Sequence, residues 1–300
     1  MKILRIPALL LVLGGFIFLS RQPPPKHYLS VGAIFRNEER FLKEWIEYHH
    51  MLGVDHFYLL NHFSDDNYKQ VLAPYIESGL VELSDWTEET SDQKAFKNMQ
   101  CRAYGDLIEK TKKETAWLAI IDIDEFIALK HGNSIPKFLK EYEQYGGIGI
   151  NWQLFGTAGV QRISESETLI GSLIKRAPKD FDANRFVKTI CRPKRVRKMA
   201  QPHFCKYKFP FGHVTEQKTP FPYESLTPEV SVERISLNHY THRDEDFFYT
   251  EKKRRILEWF PEAKVEMDPV LNEVEDLSML RLVPELQTRL SDPCTGTSAE

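Results

Sequence analysis

The stretch Trp117-Leu118-Ala119-Ile120-Ile121-Asp122-Ile123-Asp124-Glu125-Phe126-Ile127-Ala128-Leu129 is an apolar run that contains three carboxylates. A continuous apolar run of this kind predicts a strand that is buried on both faces. An ionised carboxylate is costly to bury without a partner, so a cation must neutralise these acids.

Two of these acids, Asp122 and Asp124, are expected to point the same way along an extended chain. Their separation along the backbone is then about 6.5 to 7 Å. That spacing suits two oxygen ligands of one divalent cation, or one metal ligand and one acceptor for a hydroxyl group of the ligand. The Asp-x-Asp pair therefore predicts a metal and phosphate site. Pairing of these acids with nearby Lys or Arg at a strand end is the alternative.

Length and composition limit the classes of protein. A chain of 300 residues that is 42% hydrophobic can bury a sizeable core. The net charge of -3 argues against a surface that generally binds nucleic acid. One local segment is basic, and it is either a solvated strand or loop or a site for a phosphate-bearing ligand or an anionic surface. Its cations are Lys188, Arg192, Lys194, Arg195, Arg197 and Lys198.

The N-terminus contains an apolar segment from Ile6 to Leu19, preceded by Lys2 and Arg5. It is shorter than a bilayer span of about 20 residues, and no clean cleavage site follows it. We predict that residues 1–20 are a hydrophobic signal or membrane anchor, which makes the protein a single-pass membrane protein. Residues 21–28 then form a Pro-rich spacer. A cleaved signal peptide and a buried N-terminal helix are the alternatives.

Strand and helix patterns alternate in the first half of the chain, which predicts a parallel sheet with right-handed crossovers. In such sheets ligands bind at the carboxyl ends of the strands. No Gly-x-Gly-x-x-Gly or Walker loop is present, so a dinucleotide or P-loop fold is disfavoured. Before the Asp-x-Asp strand, the predicted elements are a strand over 28–35, a helix capped by Asn37, a strand over 56–61, a helix over 68–78, a strand over 80–85 and a helix within 92–113.

The rest of the chain is less regular. We predict a helix over 134–145, a strand over 146–152, a helix over about 245–260 and a short helix around 276–283 that ends at Pro284. The segment Asn151 to Gly159 places aromatic and amide groups beside glycines. Such groups are common in sugar-binding pockets, although core packing explains them as well.

Several motifs together resemble the family 92 glycosyltransferases and their bacterial relatives, from about residue 29 to 260. The motifs are Phe35-Arg-Asn-Glu-Glu39 with the following Trp-Ile-Glu-Tyr-His helix, Asn61-His-Phe-Ser-Asp-Asp-Asn67, Ile121-Asp-Ile-Asp-Glu-Phe126, Asn151-Trp-Gln-Leu-Phe-Gly156, Lys188-Thr-Ile-Cys-Arg-Pro193 and Asn238-His-Tyr240.

The resemblance implies an α/β fold of the GT-A type, in which a nucleotide-binding sheet flanked by helices is fused to an acceptor-binding half. This domain would cover residues 29–268, and residues 269–300 would form a C-terminal helix and polar tail. The implied reaction is transfer of a sugar, with inversion, from a nucleotide-sugar donor to a hydroxyl of a glycan or glycoconjugate. Mn²⁺ or Mg²⁺ would assist it, and nucleic acid would not be a partner.

The resemblance also implies roles for individual residues. Asp122 and Asp124 would hold the metal and the ribose or diphosphate of the donor, and His239 would be the third metal ligand. Arg36, Asn37, Asp66, Asp85 and Arg243 would contact the nucleotide sugar, with Arg243 standing where family members often have Lys-Ser. Trp152 and Phe155 would border the acceptor.

The general base is not assigned by the motifs. Glu165 and Glu167 follow the aromatic segment and are the carboxylates considered for it, although both fit plain surface positions equally well. The competing functions are a metal-dependent phosphoesterase and a non-catalytic carbohydrate-binding protein of the same fold. A phosphoesterase usually needs more ligands than one Asp-x-Asp-Glu, because it holds two cations about 3.5 to 4 Å apart.

Overall fold

The computed structural model describes residues 23–291. The predictions for residues 1–20, for the start of the spacer and for the end of the polar tail lie outside the described residues. None of the helices within residues 23–291 combines the length and apolar character needed to cross a membrane.

A mixed sheet forms the centre of the protein. The strands are β1 His27–Phe35, β2 His56–Asn61, β3 Val81–Asp85, β4 Thr115–Ile120, β5 Glu125–Leu129, β6 Gly147–Leu154, β7 Lys175–Arg176, β8 Val187–Cys191, β9 Val196–Gln201, β10 Phe204–Tyr207, β11 His213–Val214, β12 Ile235–His239 and β13 Val274–Glu275. The order in the sheet is β3-β2-β1-β4-β8-β6-β12-β5, and β11 pairs with β6. The four strands from β3 to β4 are parallel, whereas β8 and β5 run antiparallel to their neighbours.

Helices cover both faces of this sheet. They are α1 Glu39–Met51, α2 Tyr68–Glu77, α3 Gln93–Thr111, α4 Ile135–Leu139, α5 Leu169–Ser172, α6 Glu245–Phe247, α7 Lys253–Trp259 and α8 Val283–Ser291. One core cluster contains the apolar sides of α1, α2 and α4, and the second lies between the sheet, α3 and the β9–β10 hairpin. The α/β class and the strand and helix alternation through β4 are confirmed.

The start of α1 differs from the prediction. Asn37 does not cap the helix, because its backbone has φ +53° and its amide nitrogen donates to Asp65 Oδ1 at 2.6 Å. Asp66 instead accepts a hydrogen bond from the backbone N–H of Glu39 at 2.8 Å. The predicted end is confirmed, since the chain leaves the helix at Gly53 with φ +96°, a conformation that favours glycine.

The run Trp117–Leu129 is not one strand, which corrects the extended geometry expected for its acids. β4 ends at Ile120, and the Glu125 N–H donates to the Asp122 carbonyl at 3.1 Å, which makes a turn. β5 then leaves β4 and pairs with β12 at the far edge of the sheet. Asp122 and Asp124 therefore lie in a turn between two buried strands.

Two further helix boundaries are corrected. The predicted helix at 134–145 is only α4 followed by a 3-10 turn. The predicted helix around 276–283 is replaced by α8, which begins at Val283. Pro284 lies in the first turn of this helix and does not end it. Proline is tolerated there because backbone N–H groups in a first turn have no hydrogen-bond partner within the helix.

A buried histidine joins α1 to β5. The His49 side chain is fully buried, with Nδ1 2.8 Å from the Trp45 carbonyl. Its Nε2 accepts the Ile127 backbone N–H at 3.2 Å. Nδ1 must therefore carry the proton of a neutral ring. Burial lowers the pKa of His49 to about 3, and the bond to Trp45 only partly opposes this.

His49 is expected to make the protein less stable as the pH falls. Below about pH 6.5, His49 binds a proton in the unfolded chain but stays neutral in the folded protein. The free energy of unfolding therefore falls by about 1.4 kcal/mol per pH unit towards pH 3. In His49→Gln this contribution is absent. Urea unfolding at pH 6 and pH 5 should show a smaller loss of stability in the variant, and equal losses would contradict the prediction.

Candidate active site

The turn with the two aspartates forms one wall of a cavity of about 640 Å³ at the carboxyl ends of the parallel strands. The end of β1, the loop after β2, the start of α3 and the helical segment around α7 supply the other walls. The charged residues that line it are Arg36, Glu38, Glu89, Asp122, Asp124, Lys252, Arg255 and Glu258. Arg36, Asp122 and Asp124 therefore converge at the carboxyl ends of the strands, where ligands of a parallel sheet are expected to bind.

Asp124 lies beside a histidine from a distant strand. Its Oδ2 is 3.4 Å from Nε2 of His239 and 3.9 Å from Nζ of Lys252. The backbone N–H of Tyr240 donates to the Asp124 carbonyl at 2.8 Å, which fixes the turn against the end of β12. Burial opposes ionisation, but His239 and Lys252 outweigh it and hold the pKa of Asp124 well below its usual range. Asp124 is therefore a carboxylate at neutral pH.

Asp122 is paired with a buried lysine. Lys188 on β8 is 2% exposed, and its Nζ donates to Asp122 Oδ2 at 2.7 Å. The Tyr104 hydroxyl donates to Asp122 Oδ1 at 3.4 Å. Burial disfavours the ammonium group, but Asp122 and Glu125 outweigh that effect and raise the pKa of Lys188. This pairing is the alternative considered from the sequence, and it applies to Asp122.

Glu125 is the third acid of the run and is fully buried. Its Oε1 accepts the Trp152 indole N–H at 2.7 Å, and its Oε2 accepts the Asp122 backbone N–H at 2.8 Å. Nζ of Lys188 is 3.5 Å from the same Oε2. Burial raises the pKa of Glu125 to about 7, and Lys188 opposes this. Glu125 and Lys188 hold the turn in place, and neither was predicted to belong to the site.

A second charged group lies beside the turn. Glu38 accepts a hydrogen bond from Nη2 of Arg243 at 2.8 Å, and Arg255 Nη1 is 3.4 Å from its other oxygen. Burial raises the pKa of Glu38, and the positive charges of Arg243 and Arg255 partly oppose this rise. Arg243 is 1% exposed and lies 4.2 Å from the Phe41 ring, behind Glu38. Arg255 and Lys252 are the cations of this region that line the cavity, and the sequence motifs did not single them out.

The other residues predicted to bind nucleotide divide into two groups. Arg36 is exposed and lines the cavity. Asn37 and Asp66 instead hold the loops around α1, as described above. Asp85 is exposed at the end of β3, and its Oδ1 accepts the amide N–H of Asn61 at 2.8 Å. Asn37, Asp66 and Asp85 are not among the lining residues of the cavity.

The two aromatic residues predicted to border the acceptor lie in different surroundings. Trp152 is partly exposed, and its ring centroid is 4.5 Å from that of His239. Phe155 is 1% exposed and packs on Tyr240 at 4.7 Å, in the core. The Trp152 ring therefore lies next to His239, whereas Phe155 is part of the core and does not border the site.

The carboxylates considered for the general base lie on an exposed loop before α5. Glu167 accepts the Ser164 hydroxyl at 2.8 Å, which closes a turn within this loop. Neither Glu165 nor Glu167 lines the cavity. The plain surface positions considered from the sequence describe both residues.

Two of the three predicted metal ligands converge. Within residues 23–291 no cluster of three or more His, Cys, Asp or Glu side chains has metal-binding spacing. The Asp124 carboxylate and the His239 imidazole nevertheless form an oxygen and nitrogen pair beside the cavity, a donor set that suits Mn²⁺. Nδ1 of His239 is buried and has no hydrogen-bond partner among the described residues. The pair fits a divalent cation that takes its other ligands from phosphate oxygens and water.

Solved structures with some likeness have low sequence identity to this chain. Staphylococcus aureus TarS 1-349 in complex with UDP is 14% identical, with 80% of this chain and 67% of that chain covered and a TM-score of 0.39. The glucosyl-3-phosphoglycerate synthase of Mycobacterium tuberculosis, in complex with Mn²⁺, UDP-glucose and phosphoglyceric acid, is 16% identical, with 42% and 44% covered and a TM-score of 0.28.

The chain is also similar to curated plant proteins. A glycosyltransferase family 92 protein of Arabidopsis thaliana is 24% identical over 245 residues, which is 77% of this chain and 38% of the relative. A family 92 protein of Oryza sativa subsp. japonica is 28% identical over 149 residues, or 48% of this chain and 24% of the relative. The galactan beta-1,4-galactosyltransferase of Arabidopsis thaliana is 25% identical over 136 residues, or 43% and 27%. The chain thus spans 24% to 38% of the length of these relatives.

Family membership follows from the share of the chain that one family model covers. The model of glycosyltransferase family 92 matches residues 26–269, which is most of the chain. The central sheet with flanking helices is the α/β fold of GT-A type that the resemblance implied. The chain therefore belongs to glycosyltransferase family 92.

Proposed function

We propose that this protein is a metal-dependent glycosyltransferase that transfers a sugar, with inversion, from a nucleotide-sugar donor to a hydroxyl of a glycan or glycoconjugate. The observation that carries the proposal is that Asp124 lines a cavity of about 640 Å³ and lies 3.4 Å from the imidazole of His239. That volume is within the range of about 300 to 1,000 Å³ typical of small-molecule sites. The galactosyltransferase among the relatives supports a hexosyl donor.

The residues around the cavity suit a diphosphate. Asp124 and His239 would hold Mn²⁺ or Mg²⁺, which when bound neutralises charge on the leaving nucleoside diphosphate. Lys252, Arg255 and Arg36 add positive charge on the same walls, where phosphate oxygens accept hydrogen bonds. Asp122 is held by Lys188 but keeps acceptor capacity for a ribose hydroxyl or a metal-bound water. Trp152 would border the sugar or the acceptor.

We propose that residues 1–20 anchor the protein in a membrane and that residues 21–26 separate the anchor from the domain. The predicted end of the spacer at residue 28 is corrected, because β1 begins at His27. The glycan or glycoconjugate acceptor then lies within reach of a membrane surface.

A thermal-shift panel tests donor and metal together. We expect UDP- or GDP-sugars to raise the melting temperature by about 5 to 10 °C at saturating concentration, and only when Mn²⁺ or Mg²⁺ is present. Addition of EDTA should abolish the shift, because the donor is bound through the cation. The same samples should release nucleoside diphosphate when an acceptor glycan is added.

The competing functions predict other results. A phosphoesterase would release inorganic phosphate or a nucleoside monophosphate from the donor. A carbohydrate-binding protein would be stabilised by glycans and not by nucleotide sugars. The proposed function would be overturned if either result were found and no nucleotide sugar raised the melting temperature in the presence of Mn²⁺ or Mg²⁺.

A further inference from the structure

A second charged surface begins beside the start of β4, where the Arg192 guanidinium lies against the Trp117 ring, and continues along the β9–β10 hairpin. Between Cys191 and Gly212 the sequence contains seven Lys and Arg residues and no Asp or Glu. They lie on the β9–β10 hairpin and on the turns beside it, and we call them the basic surface. Its members are Arg192, Lys194, Arg195, Arg197, Lys198, Lys206 and Lys208.

The protein leaves much of this charge uncompensated. Lys198 and Lys206 lie directly opposite each other in the antiparallel register of the hairpin, and both are exposed. Like charges in this position reduce stability. In the part of the chain that the structure describes, no carboxylate pairs with Lys198, Lys206 or Arg197. The arrangement is costly for the free protein, and an external anion would relieve it.

An exposed aromatic residue projects from the same surface. Phe209 is 97% exposed, more than any other large apolar residue described. Nζ of the preceding Lys208 donates to the Lys194 carbonyl at 2.9 Å, which holds the chain that carries Phe209 beside the turn of Lys194. Tyr223, which is 44% exposed, lies nearby with its ring 6.5 Å from that of Tyr207. Cations with exposed aromatic rings fit an anionic lipid surface, where rings enter the headgroup layer and cations bind phosphate.

The start of the described chain lies beside this surface too. The Tyr28 hydroxyl, on β1, donates to the Glu143 carboxylate at 3.3 Å. Arg192 and Arg195 donate to the carbonyl of the same Glu143 at 2.6 and 2.5 Å. Residues 21–26, which precede β1, reach at most about 21 Å when fully extended. An anchor in residues 1–20 would therefore keep the basic surface close to the bilayer.

We propose that the basic surface and Phe209 dock the domain onto an anionic membrane. The Arg192 guanidinium lies 5.5 Å from the Trp117 ring, and Trp117 precedes Asp122 by five residues. That separation corresponds to about 17 Å along a strand. Arg192 therefore lies near the end of β4 that is away from the Asp-x-Asp turn. The proposal holds whatever reaction the cavity supports.

Hydrogen exchange of the full chain in vesicles tests the proposal. The vesicles contain phosphatidylcholine alone or phosphatidylcholine with phosphatidylglycerol, so any insertion of residues 1–20 is common to both. We expect amides of residues 192–212 to exchange about tenfold more slowly in the anionic vesicles, and high salt to reverse this. Lys198→Glu, Lys206→Glu and Lys208→Glu combined should abolish the protection, and Phe209→Ser alone should reduce it.

A matched control distinguishes the effect of the basic surface from the effect of the protein's net charge. Lys69→Glu, Lys175→Glu and Lys264→Glu combined change the charge equally at remote exposed positions and should keep the protection. Equal exchange in both kinds of vesicle, or loss of protection in this control, would overturn the proposal. Soluble dextran sulfate provides one more test. If it protects the same amides as strongly as the anionic vesicles do, and Phe209→Ser does not change this protection, the partner is a soluble polyanion and the proposal is wrong.

Discussion

Asp124→Asn is expected to lower the rate of sugar transfer by about 10³-fold, which is the scale seen when one charge-stabilising group is removed from an active site. Asn keeps the size of the side chain but removes the negative charge that faces His239. The Lys252 ammonium group, 3.9 Å from Asp124 Oδ2, would then lose this carboxylate and repel a divalent cation more strongly. Metal-dependent binding of the donor should be lost together with the rate.

The measurement is nucleoside diphosphate release with donor, acceptor glycan and Mn²⁺, alongside the melting temperature of each variant. Asp106→Asn is a matched control, because Asp106 is an exposed aspartate on α3 and does not line the cavity. It should retain the activity of the unchanged protein. A folded Asp124→Asn protein that still transfers sugar at the original rate would show that this carboxylate does not hold the metal.

Local sequence signals were sufficient for the first half of the fold. Alternating apolar patterns and turn residues such as Gly53 mark each element from β1 to β4, and parallel topology then places the ends of these strands at one edge. Arg36, Asp122 and Asp124 could therefore be placed together without a structure. Each of these signals depends on residues close in sequence.

The split of the run Trp117–Leu129 could not be predicted in this way. Two consecutive buried strands have the same apolar composition as one long strand. The difference arises because β5 pairs with β12, where Leu129 lies opposite Ile235, and the sequence does not encode that register locally. The turn geometry of Asp122 and Asp124 follows from this distant pairing.

The arginines near the cavity show a similar limit. Both Arg243 and Arg255 follow the His-Tyr motif, and the sequence alone does not tell which of them lines the cavity. Arg243 has φ +57° and turns inward to Glu38, whereas Arg255 lies one helical segment later with its guanidinium at the cavity. The pairing of Lys188 with Asp122 and Glu125 could not be predicted either, because in the sequence Lys188 is one of several cations in a basic segment.

Lys188→Met is expected to destabilise the protein by about 3 to 5 kcal/mol, which is typical when one partner of a buried ion pair is removed. Methionine fills a similar volume but leaves the carboxylates of Asp122 and Glu125 without their shared cation. Glu125 is fully buried and cannot turn to solvent, so it carries most of this cost. Urea unfolding at a constant pH above 7, where the Glu125 carboxyl group of the unchanged protein is mostly ionised, measures the difference. Lys69→Met at an exposed position is the matched control, expected to change stability by less than about 0.5 kcal/mol.

A second substitution distinguishes lost charge compensation from lost packing. Glu125→Gln removes the buried negative charge, while the amide oxygen still accepts one of the two hydrogen bonds from Trp152 and Asp122. The variant with both Lys188→Met and Glu125→Gln should therefore lose less stability than the sum of the two single losses, by about 1 to 3 kcal/mol. If packing around Lys188 were the cause, the two losses would add. An additive result would show that Lys188 does not serve to neutralise the acids that shape the Asp-x-Asp turn.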